Sequence, residues 1–361
     1  MAEKNNVSLV IFGGTGDLTR RKLIPAISGL VNSGILNKNS PIIGIGRSKF
    51  SDYEYKQFLI GSTSRDEEKR NLNDLDIRYA CYGQDQKNPL SRLSNLLNEI
   101  DNKNECERIF YLATSSKSYL QILGEIKDNC LNKNNEFNKI VFEKPLGFNL
   151  ESASLIEKKC SEIFNKNNIY IMDHYLGKEV IQNILLLKFT NAFFESTLNN
   201  KFVDSIDLTI DEDLGVANRI DYYNEIGAIK DIIQNHLLQT VALVLMDNPV
   251  KFDPTSIHNE KLKVLKSLEV LPSNFHLFGQ YESYRKESRN YGIENSRTDT
   301  YARLVVNCKN SRWDGVRITM KTGKKLERKY ASININYKLP EIEHKIEGIT
   351  NNKIIIQLQP K

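Results

Sequence analysis

Short apolar runs alternate with amphipathic stretches through the first half of the chain. Tyr119, Ile122 and Ile126 recur at helical spacing soon after one such run. Strands that alternate with helices predict parallel β-α-β units, and therefore a doubly wound parallel sheet. Residues 51–105 are polar and weakly periodic apart from residues 90–100, and we expect helices with polar connections there. The predicted strands are residues 7–12, 41–46, 109–113, 139–142 and 169–172.

The pattern changes beyond residue 179. Residues 180–187 have helical periodicity, and the longest apolar helix is predicted over residues 226–246. Residues 211–224 are expected to form a polar connection before that helix. Helices that are separate from strands in sequence are typical of an α+β domain, here with a large, mainly antiparallel sheet. Its predicted strands are residues 205–210, 302–306, 316–321, 332–337 and 353–359.

Length and composition agree with two domains. A chain of 361 residues exceeds the size at which one hydrophobic core stops growing, and a hydrophobic fraction of 40% can fill two cores. We expect an N-terminal domain over residues 1–175 and a C-terminal domain over residues 176–361. No apolar run is long enough for a membrane span or for the core of a signal peptide, so a cytoplasmic protein without a membrane partner is expected.

Charge and scattered side chains argue against several classes of function. The 50 lysines and arginines are interleaved with 45 acids, and the net charge of +5 fits an anionic metabolite. No recognition motif for nucleic acid is present, so we expect no nucleic-acid partner. The five cysteines form no C-x-x-C pair and the five histidines are equally scattered, so we expect reduced thiols and no metal site.

A glycine-rich turn follows the first predicted strand and opens a helix. That setting is the one a phosphate-binding turn requires, because glycine lets the backbone approach a pyrophosphate and the first N–H groups of the helix face it. Thr19 stands where the usual fingerprint has its third glycine, and an ordinary tight turn is the alternative interpretation. The turn favours a Rossmann-type domain that binds a dinucleotide. Its residues are Gly13, Gly14, Thr15, Gly16, Asp17 and Leu18.

Two more basic residues follow predicted strands of this domain. Arg47 comes after the second strand, where enzymes that use NAD usually carry an acid, and arginine there favours the 2′-phosphate of NADP. Lys144 lies between Glu143 and Pro145 at the end of a later strand, and ligands of open parallel sheets bind at such ends. Each residue could instead be an ordinary surface residue at a strand end.

Polar residues also interrupt two apolar segments further along. In Asp173-His-Tyr-Leu-Gly-Lys-Glu179 a helical conformation would place His174 and Lys178 on one face, a pair that suits a phosphate; a solvated helix start is the alternative. Asp231 and His236 lie within the apolar helix predicted over residues 226–246. A histidine there is more often a satisfied core residue, but so much polarity in a buried helix favours a functional role.

Six motifs, in this order along the chain, resemble the glucose-6-phosphate dehydrogenase family. The stretch at 173–179 is highly specific to that family, and the resemblance runs from residue 7 to the C-terminus. It implies oxidation of glucose 6-phosphate to 6-phosphogluconolactone with hydride transfer to NADP, the first step of the oxidative pentose phosphate pathway. The motifs are the turn at 13–18, Glu143-Lys144-Pro145, the stretch at 173–179, Asp231-Ile-Ile-Gln-Asn-His236, Arg312-Trp-Asp-Gly315 and Thr322-Gly-Lys324.

Carried over residue by residue, the resemblance implies a role for each motif. His236 corresponds to the general base and Asp173 to the carboxylate that orients it. The implied substrate ligands are Lys144, His174, Tyr175, Lys178, Glu212, Asp231, Lys324 and Lys329. The implied coenzyme ligands are Gly13, Gly14, Thr15, Gly16, Asp17 and Leu18, together with Lys22, Arg47 and Lys144.

The resemblance also implies a homodimer, because family members dimerise through the large sheet. They continue beyond the position that corresponds to Lys361, so an unpaired sheet edge is expected here. Two other functions stay open. A sugar dehydrogenase of the glucose–fructose oxidoreductase type shares the Glu-Lys-Pro motif but has no need of a phosphate pair, whereas a truncated, non-catalytic paralogue would bind sugar phosphate without oxidising it.

Overall fold

The structure is a computed structural model that describes residues 7–63, 66–83, 89–102, 106–132, 137–340 and 348–359. The chain divides into two compact units, Met1–Met172 and Asp173–Lys361. The division falls slightly before the 175/176 boundary expected from the sequence. Within the described ranges, no helix combines the length and the apolar character that a membrane crossing needs.

A parallel sheet forms the centre of the first unit. Its strands are β1 (Val7–Phe12), β2 (Ile42–Gly46), β3 (Ile77–Cys81), β4 (Glu107–Leu112), β5 (Lys139–Phe142) and β6 (Ile169–Ile171). They are ordered β3-β2-β1-β4-β5-β6 and every pairing is parallel. Val10, Ile11 and Phe110 on the central strands are fully buried, as expected for a sheet that is covered on both faces. This strand order confirms the predicted doubly wound fold.

Helices cover both faces of this sheet. They are α1 (Ile24–Asn32), α2 (Asp52–Gly61), α3 (Asp66–Asp74), α4 (Ser91–Asp101), α5 (Tyr119–Asp128) and α6 (Leu150–Ser161). One buried cluster contains side chains of α4, α5 and α6, and a second contains those of α1 and α2. Local sequence sets two helix starts, since Ser51 with Glu54 and Asn149 with Ser152 each form a capping box.

The prediction of only helices and polar connections for residues 51–105 is wrong at β3. Ile77 and Tyr79 of this edge strand are buried, whereas Arg78 between them pairs with Asp76 at 2.9 Å. A strand this short, with a charged residue at its second position, gives too little alternation to stand out from its polar surroundings.

A mixed sheet forms the second unit. Its strands are β7 (Val203–Asp211), β8 (Leu268–Val270), β9 (Leu277–Gly279), β10 (Tyr301–Cys308), β11 (Arg317–Gly323), β12 (Tyr330–Tyr337) and β13 (Lys353–Gln359). The order is β13-β12-β7-β11-β10-β8, and β9 also pairs with β10. Only the β7–β11 pairing is parallel among the described strands of this sheet, which confirms the predicted α+β class. The strands β8 and β9, of three residues each, were not predicted from the sequence.

The helices of the second unit pack against this sheet. They are α7 (Glu179–Phe189), α8 (Ala192–Thr197), α9 (Ile220–Ala228), α10 (Leu238–Leu245), α11 (Pro254–Ser267) and α12 (Tyr284–Arg289). A single buried cluster joins side chains of α7, α10 and α11 to strands at the middle of the sheet. The core of the second unit therefore lies between the sheet and these three helices.

The uninterrupted helix predicted over residues 226–246 is wrong at Gly227. This residue has a φ of +65°, in the left-handed region that favours glycine, and the next N–H, that of Ala228, donates to Asp299 O at 2.9 Å. Beyond the break Ile229–Leu237 is π-helical and leads into α10. Apolar periodicity does not reveal the break, because apolar residues flank the glycine. Helix α9 also occupies the end of the polar connection predicted over residues 211–224.

A buried lysine ties α7 to the end of α10. The side chain of Lys188 is 2% exposed, and its Nζ donates to Val244 O at 2.8 Å and to Met246 O. Burial, helped by Arg312 and opposed by two nearby carboxylates, lowers the pKa of Lys188 to about 7. The neutral amine still has two N–H groups, so both hydrogen bonds persist after deprotonation.

Replacing this lysine should remove a pH dependence of stability. The unfolded chain binds a proton at residue 188 up to an ordinary lysine pKa, whereas the folded chain releases it near neutrality, so the contribution of Lys188 to the free energy of unfolding rises with pH. We expect the free energy of unfolding of the wild type to rise by about 2 kcal/mol relative to that of Lys188→Met between about pH 7.5 and 9.5. Urea unfolding over this range measures it.

The exposed Lys266 of α11 supplies the matched control. Lys266→Met should leave the pH dependence of the wild type unchanged. A constant difference between wild type and Lys188→Met across the same range would show that Lys188 keeps its proton in the folded protein.

Candidate active site

A carboxylate–imidazole pair lies among the polar residues of the second unit. Asp173 Oδ1 is 2.6 Å from His236 Nδ1, and the histidine side chain is fully buried. Asp173 Oδ1 also accepts the N–H of Tyr175 at 2.9 Å. Because the carboxylate accepts a hydrogen bond from Nδ1, it assigns the ring proton to that nitrogen and makes Nε2 the nitrogen that takes up a proton.

Two rings and one ammonium group lie beside this pair. The His174 and Tyr175 rings lie 4.5 Å and 4.3 Å from the His236 ring, measured between centroids. Lys178 Nζ sits 3.8 Å from the centroid of the Tyr175 ring. Burial, together with the charges of Glu212, Asp173 and Asp231, raises the pKa of Tyr175 to about 12, so its hydroxyl keeps its proton at neutral pH.

Residues 173–178 form a turn rather than a helix. Leu176 N–H donates to Asp173 O at 3.1 Å, and Lys178 N–H donates to Tyr175 O at 3.0 Å. Helix α7 begins only at Glu179. The prediction that His174 and Lys178 share one face of a helix is therefore wrong. The turn brings both residues against Tyr175 instead.

A cleft of about 570 Å³ lies next to Lys178 and Lys329. Burial and the positive charge of Lys329 lower the pKa of Lys178. Lys178 Nζ is itself buried, and the described residues offer it no hydrogen-bond acceptor. Two neighbouring ammonium groups with so little negative charge to balance them fit a dianionic ligand. The other residues lining the cleft are Gly177, Glu179, Val180, Leu358 and Gln359.

A second cluster combines Lys324 with two acids. Lys324 Nζ pairs with Glu212 and lies 3.0 Å from Asp231 Oδ2. The parallel pairing of β7 and β11 explains the first contact, because Glu212 and Lys324 each follow the carboxyl end of one of these neighbouring strands. Carboxylates held by a lysine that is 7% exposed can accept hydrogen bonds from hydroxyl groups without being neutralised.

The Arg312-Trp-Asp-Gly315 motif has a structural place. The Trp313 side chain is fully buried, and its indole N–H donates to Leu245 O at 2.7 Å, at the end of α10. Arg312 pairs with Glu195 at 3.2 Å and with Asp247 at 3.1 Å. The motif thus fixes the C-terminal end of the helix that continues from His236.

In the first unit the glycine turn packs closely against the neighbouring backbone. Gly13 has a φ of +86°, and an added Cβ would overlap Ala113 O; a Cβ on Gly14 would lie 2.7 Å from Gly44 Cα. The buried Thr19, at the place of the third fingerprint glycine, donates its hydroxyl to Gly13 O at 2.8 Å and so fixes the turn. A turn with no side chains at these positions fits a pyrophosphate.

The other basic candidates of this unit lie near the same edge of its sheet. Arg47 is exposed directly after β2, and Lys144 follows β5, while the carboxyl ends of parallel strands share one edge. Lys22 is exposed in the π-helical segment Thr19–Leu23 after the turn, and Asp17 pairs with Arg21 at 2.7 Å. Leu18 begins that segment as its N-cap.

Two tyrosines that the sequence analysis did not single out hold the residue before Lys144. Tyr111 donates to Glu143 Oε1 at 2.5 Å, and Tyr119 donates to Glu143 O at 2.9 Å. Tyr111 lies on β4 and Tyr119 on α5, and the sequence pattern predicted only a strand and a helix at these positions. Their hydroxyl groups fix the end of β5, from which Lys144 extends.

Comparison with known proteins decides the family. The NAD-binding domain of glucose-6-phosphate dehydrogenase matches residues 10–183, and the C-terminal domain of glucose-6-phosphate dehydrogenase matches residues 185–361. The chain belongs to the glucose-6-phosphate dehydrogenase family. Its first unit is accordingly a binding domain for a nicotinamide dinucleotide, as the glycine turn predicts.

Individual members of the glucose-6-phosphate dehydrogenase family match along nearly the whole chain. Glucose-6-phosphate 1-dehydrogenase of Borreliella burgdorferi is 36% identical in an alignment of 373 positions that covers 99% of this chain and 77% of that protein. The cytoplasmic glucose-6-phosphate 1-dehydrogenase 6 of Arabidopsis thaliana is 35% identical over 99% of this chain and 72% of its own length.

Solved structures of the family agree with this assignment. A glucose-6-phosphate dehydrogenase in complex with its substrate glucose 6-phosphate superposes with a TM-score of 0.88 at 31% identity, covering 100% of this chain and 77% of that one. Glucose-6-phosphate 1-dehydrogenase from Mycobacterium avium superposes with a TM-score of 0.85 at 26% identity, and the match covers 99% of this chain and 78% of that one. Myo-inositol 2-dehydrogenase of Lactobacillus plantarum superposes with a TM-score of 0.53 at 9% identity and therefore shares the fold only. The alternative of a sugar dehydrogenase of the glucose–fructose oxidoreductase type is not favoured.

Proposed function

We propose that this protein oxidises glucose 6-phosphate at C1 to 6-phosphogluconolactone with NADP as coenzyme, the first step of the oxidative pentose phosphate pathway. The observation that supports this most is the buried pair of Asp173 and His236, 2.6 Å apart. Through the stacked Tyr175 and Lys178 it connects to a cleft that suits a phosphate dianion.

His236 is proposed to take the proton of the C1 hydroxyl through Nε2. Asp173 holds the opposite nitrogen, Nδ1, in its protonated form and stabilises the imidazolium that forms. The Tyr175 ring covers one face of the imidazole and excludes water from it. The residues thus supply the acid–base half of an alcohol oxidation.

The substrate ligands fall into two groups. Lys178 and Lys329, next to the cleft, are proposed to bind the phosphate together with His174 and Tyr175, because the pair of ammonium groups needs a counter-charge. The second group orients the hydroxyl groups of the sugar through charged hydrogen bonds. Its members are Glu212, Asp231 and Lys324. Lys144 of the first unit is also proposed as a substrate ligand.

The first unit is proposed to hold NADP, which supplies the acceptor for the C1 hydride when bound. The turn of Gly13, Gly14, Thr15 and Gly16 lies between β1 and a helix start, the setting in which backbone N–H groups bind a pyrophosphate, and it packs too closely against Ala113 and Gly44 for side chains at Gly13 and Gly14. The remaining ligands complete the set: Asp17, Leu18, Lys22 and Lys144 near the turn and the strand end, and Arg47 for the 2′-phosphate.

Replacing Arg47 should weaken the use of NADP selectively. A guanidinium group that binds a phosphate contributes charged hydrogen bonds, so Arg47→Ala should lower kcat/KM for NADP by about 10- to 100-fold and change kcat/KM for NAD by less than about threefold. Initial rates with each coenzyme measure the ratio. Arg289→Ala, at an exposed arginine of α12, is the matched control. Equal losses with both coenzymes would contradict the assignment of Arg47 to the 2′-phosphate.

The proposed reaction is tested by the initial rate of nicotinamide reduction with purified protein. Glucose 6-phosphate should be oxidised far more efficiently than glucose, because glucose cannot engage the two lysines of the cleft. Equal rates with both sugars would contradict the phosphate site. Thermal stabilisation by glucose 6-phosphate without turnover would instead support the non-catalytic, sugar-phosphate-binding alternative.

A cytoplasmic location and a homodimer complete the proposal. The support for the location is that the Arabidopsis thaliana relative carries "cytoplasmic" in its name. The homodimer implied by family resemblance stays a prediction, which light scattering on the purified protein measures directly.

A further inference from the structure

We propose that Tyr281, Ser283, Glu287 and Lys325 form a positioning cluster that holds the two sugar-binding loops of the second unit and sets the affinity for the sugar substrate. These four residues are called the loop cluster below. The inference rests on the proposed function, in which Glu212 and Lys324 bind hydroxyl groups of the substrate. None of the four residues is among the proposed ligands.

The loop cluster is closed by its own hydrogen bonds. Tyr281 Oη donates to Glu287 Oε2 at 2.6 Å, and Ser283 Oγ donates to Glu287 Oε1 at 2.7 Å. Lys325 Nζ donates to Ser283 Oγ at 2.7 Å, lies 3.5 Å from Glu287 Oε1, and sits over the Tyr281 ring. Burial pushes the pKa of Glu287 upwards, but the hydroxyl donors and the Lys325 charge outweigh it and keep that pKa below its ordinary value.

The loop cluster makes two hydrogen bonds to the loop that follows β7. Tyr281 Oη accepts the N–H of Val216 at 3.2 Å, and Leu214 O accepts the N–H of Lys325 at 3.0 Å. Gly215 lies between these two contacts, and a Cβ there would come within 3.2 Å of Tyr281 Oη. Glu212 is the first residue of this loop, so its path away from the sheet is fixed on both sides of Gly215.

The same cluster fixes the loop that follows β11. Lys325 has a φ of +55°, an uncommon conformation for a residue with a side chain, so its backbone needs support from its surroundings. On either side of it, Lys324 N–H donates to Thr300 O at 2.9 Å and Leu326 N–H donates to Glu212 O at 2.9 Å. The conformation of Lys325 therefore determines where the neighbouring Lys324 points.

The charges of this cluster contribute little to overall stability. The side chains of Lys325 and Glu287 are 51% and 30% exposed, and ion pairs of that exposure stabilise a folded protein only slightly. Their geometric effect is larger, because the cluster links α12 to both loops that carry Glu212 and Lys324. Disruption should therefore appear in substrate binding rather than in global unfolding.

Steady-state kinetics of three variants test this inference. Tyr281→Phe and Lys325→Ala should each raise KM for glucose 6-phosphate by about tenfold, while kcat and KM for the coenzyme stay within about twofold, since one charged or neutral hydrogen bond is lost and the base is untouched. Lys325→Arg restores the cation and should return most of the affinity. Lys286→Gln, at an exposed lysine of α12, is the matched control and should behave as wild type.

Hydrogen exchange on the same proteins measures the positioning itself. Amides of residues 214–216 and 324–326 should exchange faster in Tyr281→Phe than in wild type, with little change in the melting temperature. Wild-type turnover with unchanged KM in both disrupted variants would overturn this inference, as would unchanged exchange in the two loops. An inactive wild type would overturn the proposed function instead, and exchange would still decide whether the cluster holds the loops.

Discussion

The variant His236→Asn is expected to lose about 10³-fold in kcat while KM for glucose 6-phosphate changes little. The side-chain amide is close to imidazole in size and can still hydrogen-bond to Asp173, but it cannot accept a proton at neutral pH. His236 lies in the π-helical segment Ile229–Leu237 that leads into α10, and the similar size of the new side chain should leave the fold in place. Initial rates with saturating coenzyme measure the effect.

A histidine outside the site gives the control for this substitution. His258 is exposed on α11, and His258→Asn should retain wild-type kcat and KM. Binding of glucose 6-phosphate by His236→Asn, measured by titration calorimetry, should match that of wild type. A kcat within tenfold of wild type would show that another group takes the proton from C1.

The second large effect is expected for Asp173→Asn, with a loss of about 10²- to 10³-fold in kcat. The amide oxygen can still accept the N–H of Tyr175, so the turn should persist. What is lost is the negative charge opposite His236 Nδ1, and with it the preference for the tautomer that leaves Nε2 to accept a proton. The rate of nicotinamide reduction under saturating conditions measures the loss.

The double variant shows whether the two residues act as one unit. Asp173→Asn combined with His236→Asn should be no slower than His236→Asn alone, because the carboxylate works only through the imidazole. Asp204→Asn, at an exposed aspartate of β7, is the matched control and should be unaffected. Multiplied losses in the double variant would assign Asp173 a role that does not pass through His236.

Much of the fold follows from local patterns in the sequence. Val7–Phe12 and Lys139–Phe142 are strands with the predicted bounds, because each is an apolar run between clear polar or glycine breaks. The strand β13 is equally well predicted, since its isoleucines follow a polar connection. The edge strand β3 and the break at Gly227 could not be found in this way. A charged position hides the first, and apolar neighbours on both sides hide the second.

The contacts within the candidate site are less accessible to sequence reasoning. Asp173 and His236 are 63 positions apart, and Glu212 and Lys324 are 112 apart, so no periodicity links them. The second contact depends on β7 and β11 being parallel neighbours, which the alternation of each strand does not reveal. Residue types and motif order could nominate these side chains, but only the strand pairing and the π-helical segment bring them together.

That π-helical segment sets a strict limit on how the gene can change in length. Asp231 and His236 are separated by four residues, an interval at which a regular α-helix would turn the two side chains roughly 140° apart at about 100° per residue. The wider turn of Ile229–Leu237 lets Asp231 reach Lys324 while His236 reaches Asp173. Loss of a single codon between them would leave the two residues four positions apart, about 40° around an ordinary α-helix and still on one face. Gain of a single codon would turn them about 120° apart, so this interval should tolerate shortening by one residue but not lengthening.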